Sequence, residues 1–150
     1  MVEQKYFDDF SVGDRFVTGG ITLTDSDIIN FALRYDPQPF HLDANAAGES
    51  AFGGLIASGY QSLALCFRLF IQTGILTEAS MGSPGIDELR WLSPVRPGDT
   101  LHTVVDVKEV IPSKSQPDRG IVRFRYAAIN QHDKEALSFM LNHFLRRRPA

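Results

Sequence analysis

Several things are scarce in this sequence, and each scarcity closes off a class of protein. There is one cysteine, Cys66, in 150 residues. A lone thiol forbids an intramolecular disulfide and fits a reducing compartment, so a cytoplasmic location is expected. Charge of one sign is nowhere concentrated: 15 Lys and Arg face 18 Asp and Glu, for a net charge of −3. Without a basic stripe, nucleic acid is not expected as a partner. Arg146-Arg147-Arg148 is the one charged cluster, and at a chain end it reads most simply as a solvated terminus. No uninterrupted apolar run reaches the ~18 residues of a membrane span. Leu55–Leu76 is the longest apolar segment, but Gly59, Gln61, Arg68 and Gln72 interrupt it. The opening MVEQKYFDDF has neither an apolar core nor a small-residue cleavage site, so no signal peptide is expected. The histidines His102, His132 and His143 are scattered, with no H-x-x-x-H or C-x-x-C spacing, so no metal site is expected. G-x-G-x-x-G and P-loop patterns are missing too, which argues against a nucleotide cradle and against a resident cofactor. Ile56-Ala57-Ser58-Gly59 is not G-x-S-x-G, so no nucleophile elbow is expected.

What is present is ordinary globular material, 43% hydrophobic and 22% charged. Such a length suits one domain over residues 1–150, able to bury roughly 70% of its unfolded surface. Arg15–Leu23 reads as a strand whose central Gly19-Gly20 marks a bulge or a close backbone approach. Thr24 is an N-cap, and Ile28, Phe31, Ala32 and Tyr35 share one helix face, predicting a helix over 25–35. Pro37 and Pro39 then make 36–42 irregular. Asp43 caps a short turn over 44–49, and Ser58 caps a longer helix from Gly59 to about Thr73, with Gly74 as its stop. That helix is apolar nearly all round, which predicts burial. Alternating patterns then give strands near 86–92, 100–111, 120–131 and 136–147. Strands in succession imply an antiparallel sheet with helices on one face, an α+β class.

The chemistry gathers between Tyr35 and Phe70. An acid, Asp36, lies five residues before an imidazole, His41, and both precede the start of the buried helix. Two readings are open on spacing alone. Asp before Pro is a common turn starter and a lone His is often a packing residue; the same two side chains can also be a proton-transfer pair. Gly59 favours the second, because the first turn of a helix offers unpaired N–H groups and glycine admits close approach of a ligand. An acid–base pair beside such donors suits enolate chemistry next to a thioester. Cys66 sits in the most apolar stretch and reads as core.

These residues resemble a known family. Asp36-Pro-Gln-Pro-Phe-His41-Leu-Asp43, followed by Phe52-Gly-Gly-Leu-Ile-Ala-Ser-Gly59, is similar to the hydratase motif of the MaoC-like dehydratases, which include the (R)-specific enoyl-CoA hydratases. Leu89-Arg-Trp-Leu-Ser-Pro-Val-Arg-Pro-Gly-Asp99 resembles that family's P-V-x-x-G-D connection, so the likeness spans about 5–145. It implies a hot-dog fold, an antiparallel sheet wrapped around a central helix, assembled as a homodimer. It also implies an acyl-CoA or acyl-carrier-protein thioester as partner, with Asp36 and His41 handling the added or departing water. The Gly59 N–H would polarise the thioester carbonyl, and Gln38, Phe40, Ser58 and Phe67 would face the substrate. Three positions depart from the family pattern. Gln38 replaces asparagine, Ser58 replaces histidine, and Phe67 replaces a serine, putting a large apolar group near the expected acyl channel.

Two rival functions fit the same fold. A hot-dog thioesterase commonly carries its carboxylate on the central helix, but no Asp or Glu lies between Gly59 and Gly74. A non-catalytic acyl-thioester binding module would keep the fold without turnover, and the Ser58 and Phe67 departures leave it open.

Overall fold

A computed structural model describes residues 1–150. A single 3-10 turn, Phe7–Asp9, precedes strand β1 (Arg15–Thr22). Helices α1 (Asp25–Tyr35), α2 (Pro39–Leu42), α3 (Ala44–Glu49) and α4 (Gly59–Ile71) follow. Strands β2 (Gly85–Trp91), β3 (Thr100–Pro112), β4 (Arg119–Ile129) and β5 (Glu135–Arg146) complete the chain. The five strands form one antiparallel sheet in the order β1-β3-β4-β5-β2. The sheet wraps α4, which is the architecture that the family resemblance implies.

Each element forms for a local reason. Thr24 and Asp27 satisfy one another's backbone N–H groups at 3.1 and 2.9 Å, a reciprocal cap that starts α1. The Asp43 carboxylate accepts from the Asn45 and Ala46 N–H groups and starts α3. Every second residue is buried over 101–107 of β3 and 120–126 of β4, and the inward side chains include Val105, Val107, Val122, Phe124 and Tyr126. They pack under Cys66 and Phe70 of α4 in the main core cluster. Tyr126 stacks on Phe139 of β5 at 4.7 Å between ring centroids, and Thr103 Oγ1 donates to the Cys66 carbonyl at 2.7 Å, tying α4 to β3. In β1 the register shifts between Val17 and Gly20. A Cβ on Gly20 would lie 3.1 Å from the Thr100 side chain, so this one glycine serves both bulge and close approach. No helix is long and apolar enough to cross a membrane.

Three expectations need correction. Residues 39–42 are helical rather than irregular, because Pro39 occupies the first helical position, where its missing N–H is not needed and its φ is already suitable. Helix α4 is not covered all round. One sheet shields one side, so Tyr60, Ala64 and Arg68 remain exposed while Gln61, Ser62, Cys66, Leu69 and Phe70 are buried. The terminal arginines are not simply solvated. Arg147 pairs with Asp8 and lies over the Phe7 ring, and Arg148 pairs with Asp9 at 2.6 Å and lies over Tyr6.

Candidate active site

Three chain segments converge at the N-terminus of α4. The end of α1 supplies Asp36, whose N–H still donates to the Ala32 carbonyl while its backbone leaves the helical region. The one-turn helix α2 supplies His41, and the segment before α4 supplies Ser58 and Gly59. The Asp36 and His41 side chains are 12% and 5% exposed, and His41 Nε2 lies 3.1 Å from Asp36 Oδ2. The other ring nitrogen, Nδ1, lies 2.7 Å from the Ile56 carbonyl oxygen. A carbonyl only accepts, so Nδ1 carries a hydrogen and Nε2 is the nitrogen that faces the acid. The contact is attractive when one proton lies between oxygen and nitrogen, either as carboxylate with imidazolium or as carboxylic acid with imidazole. The two side chains can therefore share one proton across the 3.1 Å contact.

The carboxylate is held from three directions. Gln38 Nε2 donates to Oδ1 at 2.7 Å, Ser58 Oγ donates to Oδ2 at 2.7 Å, and His41 meets Oδ2 as above. Burial alone would raise the Asp36 pKa. The hydrogen bonds from Gln38 and Ser58, with the charge and hydrogen bond of His41, outweigh burial and hold it below the ordinary carboxylate range.

At the helix start, Ser58 Oγ accepts from the Tyr60 N–H at 3.2 Å, and the Ser58 carbonyl accepts from the Gln61 and Ser62 N–H groups. The Gly59 N–H has no protein acceptor. An unpaired donor at a helix N-terminus, where the dipole is positive, suits an oxygen that gains negative charge.

A cavity of about 390 Å³ opens beside these groups. Asp36, Gln38, Phe40, His41 and Gly59 stand on its wall, so the structure brings these five sequence candidates together. Phe40 packs edge-on against the His41 ring at 4.5 Å and tilted against Phe52 at 5.2 Å. Ser58 is fully buried behind Asp36 rather than on the wall. Phe67 is not on the wall either. It lies two turns along α4, half-buried, with its ring 6.0 Å from that of Tyr126.

The sequence reading missed the far side of the cavity. Phe52, Tyr60 and the run Trp91-Leu92-Ser93-Pro94-Val95 complete it. Trp91 Nε1 donates to the Gly59 carbonyl at 2.9 Å, and a Cβ on residue 59 would fall 2.5 Å from that nitrogen. The glycine at 59 is thus required by the indole packed on it, a reason that spacing could not supply. The signal lay in the L-R-W-L-S-P-V run, where a tryptophan immediately precedes a proline-rich turn.

Comparison with known proteins agrees with this architecture. A crystal structure of a MaoC-like dehydratase from Rhodospirillum rubrum superposes with a TM-score of 0.91 at 38% identity, covering 97% of this chain and 99% of that one. YdeM of Bacillus subtilis, an uncharacterized protein, is 31% identical over 140 residues, 93% of this chain and 98% of its own. An (R)-specific enoyl-CoA hydratase from Rhodospirillum rubrum is 30% identical over 115 residues, 73% of this chain and 74% of its own. The family model described as a MaoC like domain matches residues 9–127. On this match, and on a hot-dog architecture shared along nearly its whole length, the chain belongs to the MaoC-like dehydratase family.

Proposed function

We propose that the protein is a hydro-lyase that adds or removes water across the 2,3 bond of an acyl thioester. One observation carries this reading: the Asp36–His41 pair, in contact at 3.1 Å, shares a cavity wall with Gly59, whose N–H has no protein acceptor. Dehydration needs a base at the carbon next to the carbonyl, an acid at the departing hydroxyl, and a donor for the enolate oxygen. The Asp36–His41 pair supplies both proton positions, and the Gly59 N–H supplies the donor. One such donor is worth ~3–4 kcal/mol in the transition state. The similarity to an (R)-specific enoyl-CoA hydratase supports the substrate class. The thioester is carried on coenzyme A or an acyl carrier protein, and no further cofactor enters the reaction. Helix α4 carries no carboxylate, which leaves a thioesterase reading without its usual nucleophile-activating group.

The working unit in this reading is a cytoplasmic homodimer. Two features support the dimer. β2 has only one strand neighbour, β5, so its outer edge is free. Ile86 of β2 also stands exposed, at 43%. Incubating the protein with 2-enoyl-CoA thioesters of increasing chain length tests the function: loss of the enoyl absorbance is expected for at least one member. Release of free thiol instead would replace the reading with a thioesterase, and tight binding without turnover would replace it with a binding module.

A further inference from the structure

Ser58 stands behind the acid, not in the cavity, and its bonds run two ways. Its hydroxyl donates to Asp36 Oδ2 at 2.7 Å and accepts from the Tyr60 N–H at 3.2 Å. Because the lone pair facing the helix is taken by an N–H, the hydroxyl proton is directed at the carboxylate. An ionised carboxylate offers about four acceptor directions. Ser58 and His41 take the two on Oδ2, and Gln38 takes one on Oδ1. One direction is left, on Oδ1. The residue immediately after Ser58 is Gly59, which stands on the cavity wall and whose N–H has no protein acceptor.

We propose that Ser58 is the positioning residue of the site: it locks Oδ2 of Asp36, so that Oδ1 is the oxygen that meets the reacting water or hydroxyl, and it fixes the distance from that oxygen to the Gly59 N–H. The side chain holds the acid and the next peptide holds the carbonyl, so a single residue registers the two halves of the site. The effect of Ser58 on turnover rests on the hydro-lyase reading; its hold on Asp36 does not. His41 is the one charged or titratable group in contact with the carboxylate, and the Tyr60 phenol is the only other titratable side chain on the cavity wall. Helix α4 brings no acid, and its one cation, Arg68, lies more than two turns from Gly59. The 91–95 run is uncharged. The hydrogen bond from Ser58 also helps to hold the Asp36 pKa down.

The test separates positioning from capping. At an N-cap, Ser→Gly weakens the helix far less than Ser→Ala does. Ser58→Gly and Ser58→Ala both delete the hydroxyl, and Ser58→Thr keeps it. Carboxyl-carbon NMR titration of Asp36, assigned by its loss in Asp36→Asn, reads the carboxylate without any turnover. Both hydroxyl-free variants should titrate at higher pH than the wild type, and Ser58→Thr should restore the wild-type midpoint. On a 2-enoyl thioester, kcat of Ser58→Gly should fall roughly tenfold to a hundredfold, the size expected for a misplacement near 1 Å, with KM changed less than about twofold. A folded Ser58→Gly protein whose Asp36 titrates as in the wild type overturns the proposal, and so does unchanged kcat in that variant. If the wild type turns over no enoyl thioester, the functional reading fails while the NMR titration still decides whether Ser58 holds Asp36.

Discussion

At the scale of single residues, the site rests on contacts that differ widely in sequence separation. Asp36 and His41 are five apart, so the loop that carries them could be read directly. Ser58 reaches Asp36 across 22 residues, and Trp91 reaches Gly59 across 32. No local pattern encodes such pairings, because they exist only once the helices and the sheet have packed together. The Trp91–Gly59 contact gives a direct prediction. In Gly59→Ala the added methyl must displace the indole from its hydrogen bond, at about 1–2 kcal/mol. Trp91 is the only tryptophan, so its fluorescence reports the change: the emission should move to the red, and the melting temperature should fall. A second residue-scale prediction concerns His143, which the proposed mechanism does not use. It is 2% exposed, Nε2 lies 2.7 Å from Ser80 Oγ, Nδ1 has no partner, and burial pushes its pKa down to about 4. Between about 4 and the ordinary value of 6.5, the unfolded chain binds the proton and the folded chain does not. Stability is therefore present above pH 6.5 and is lost as pH falls toward 4. Linkage puts the loss from His143 at about 2 kcal/mol between pH 7 and pH 5. Urea unfolding at the two pH values should show it, and His143→Leu should flatten the dependence.

At the scale of elements, periodicity carried most of the information. The alternating burial of β3 and β4 and the helix α1 were legible because each buries one face, Ile28 and Ala32 in α1, although Tyr35 of the same spacing stays exposed. Helix α2 was not legible, since two prolines read as breakers unless the second is recognised as a first-turn residue. The solvent side of α4 was not legible either. An apolar helix looks the same in sequence whether a sheet covers it fully or on one side, and only the finished sheet leaves Tyr60 and Ala64 exposed. The tie between α4 and β3 predicts an element-scale effect. Thr103→Val keeps the shape but removes the donor to the Cys66 carbonyl and places a methyl where the hydroxyl was. A loss of about 1 kcal/mol is expected by urea unfolding, with the enzymatic parameters little changed.

At the scale of the whole molecule, the two chain ends are joined. Phe7 lies against Gly120, where a Cβ would come within 2.3 Å of its ring, and the Arg147 guanidinium lies over that ring. The sequence showed a cluster of arginines but not its partners, which lie 139 residues away. Truncation after Leu145 should lower the melting temperature by several degrees while leaving the cavity wall intact. The free edge of β2 sets the assembly expectation: sedimentation should give a dimer, and Ile86→Lys should shift it toward monomer.

The central claim is that Asp36 and His41 move the protons of a hydro-lyase, and hydration of a 2-enoyl-CoA by wild type, Asp36→Asn, His41→Gln and the double variant tests it most directly. Each single substitution should lower kcat by about 10²–10⁴-fold, and the double variant should be little worse than the weaker single, as for groups that act as one unit. Hydration by the double variant at the wild-type rate would contradict the claim.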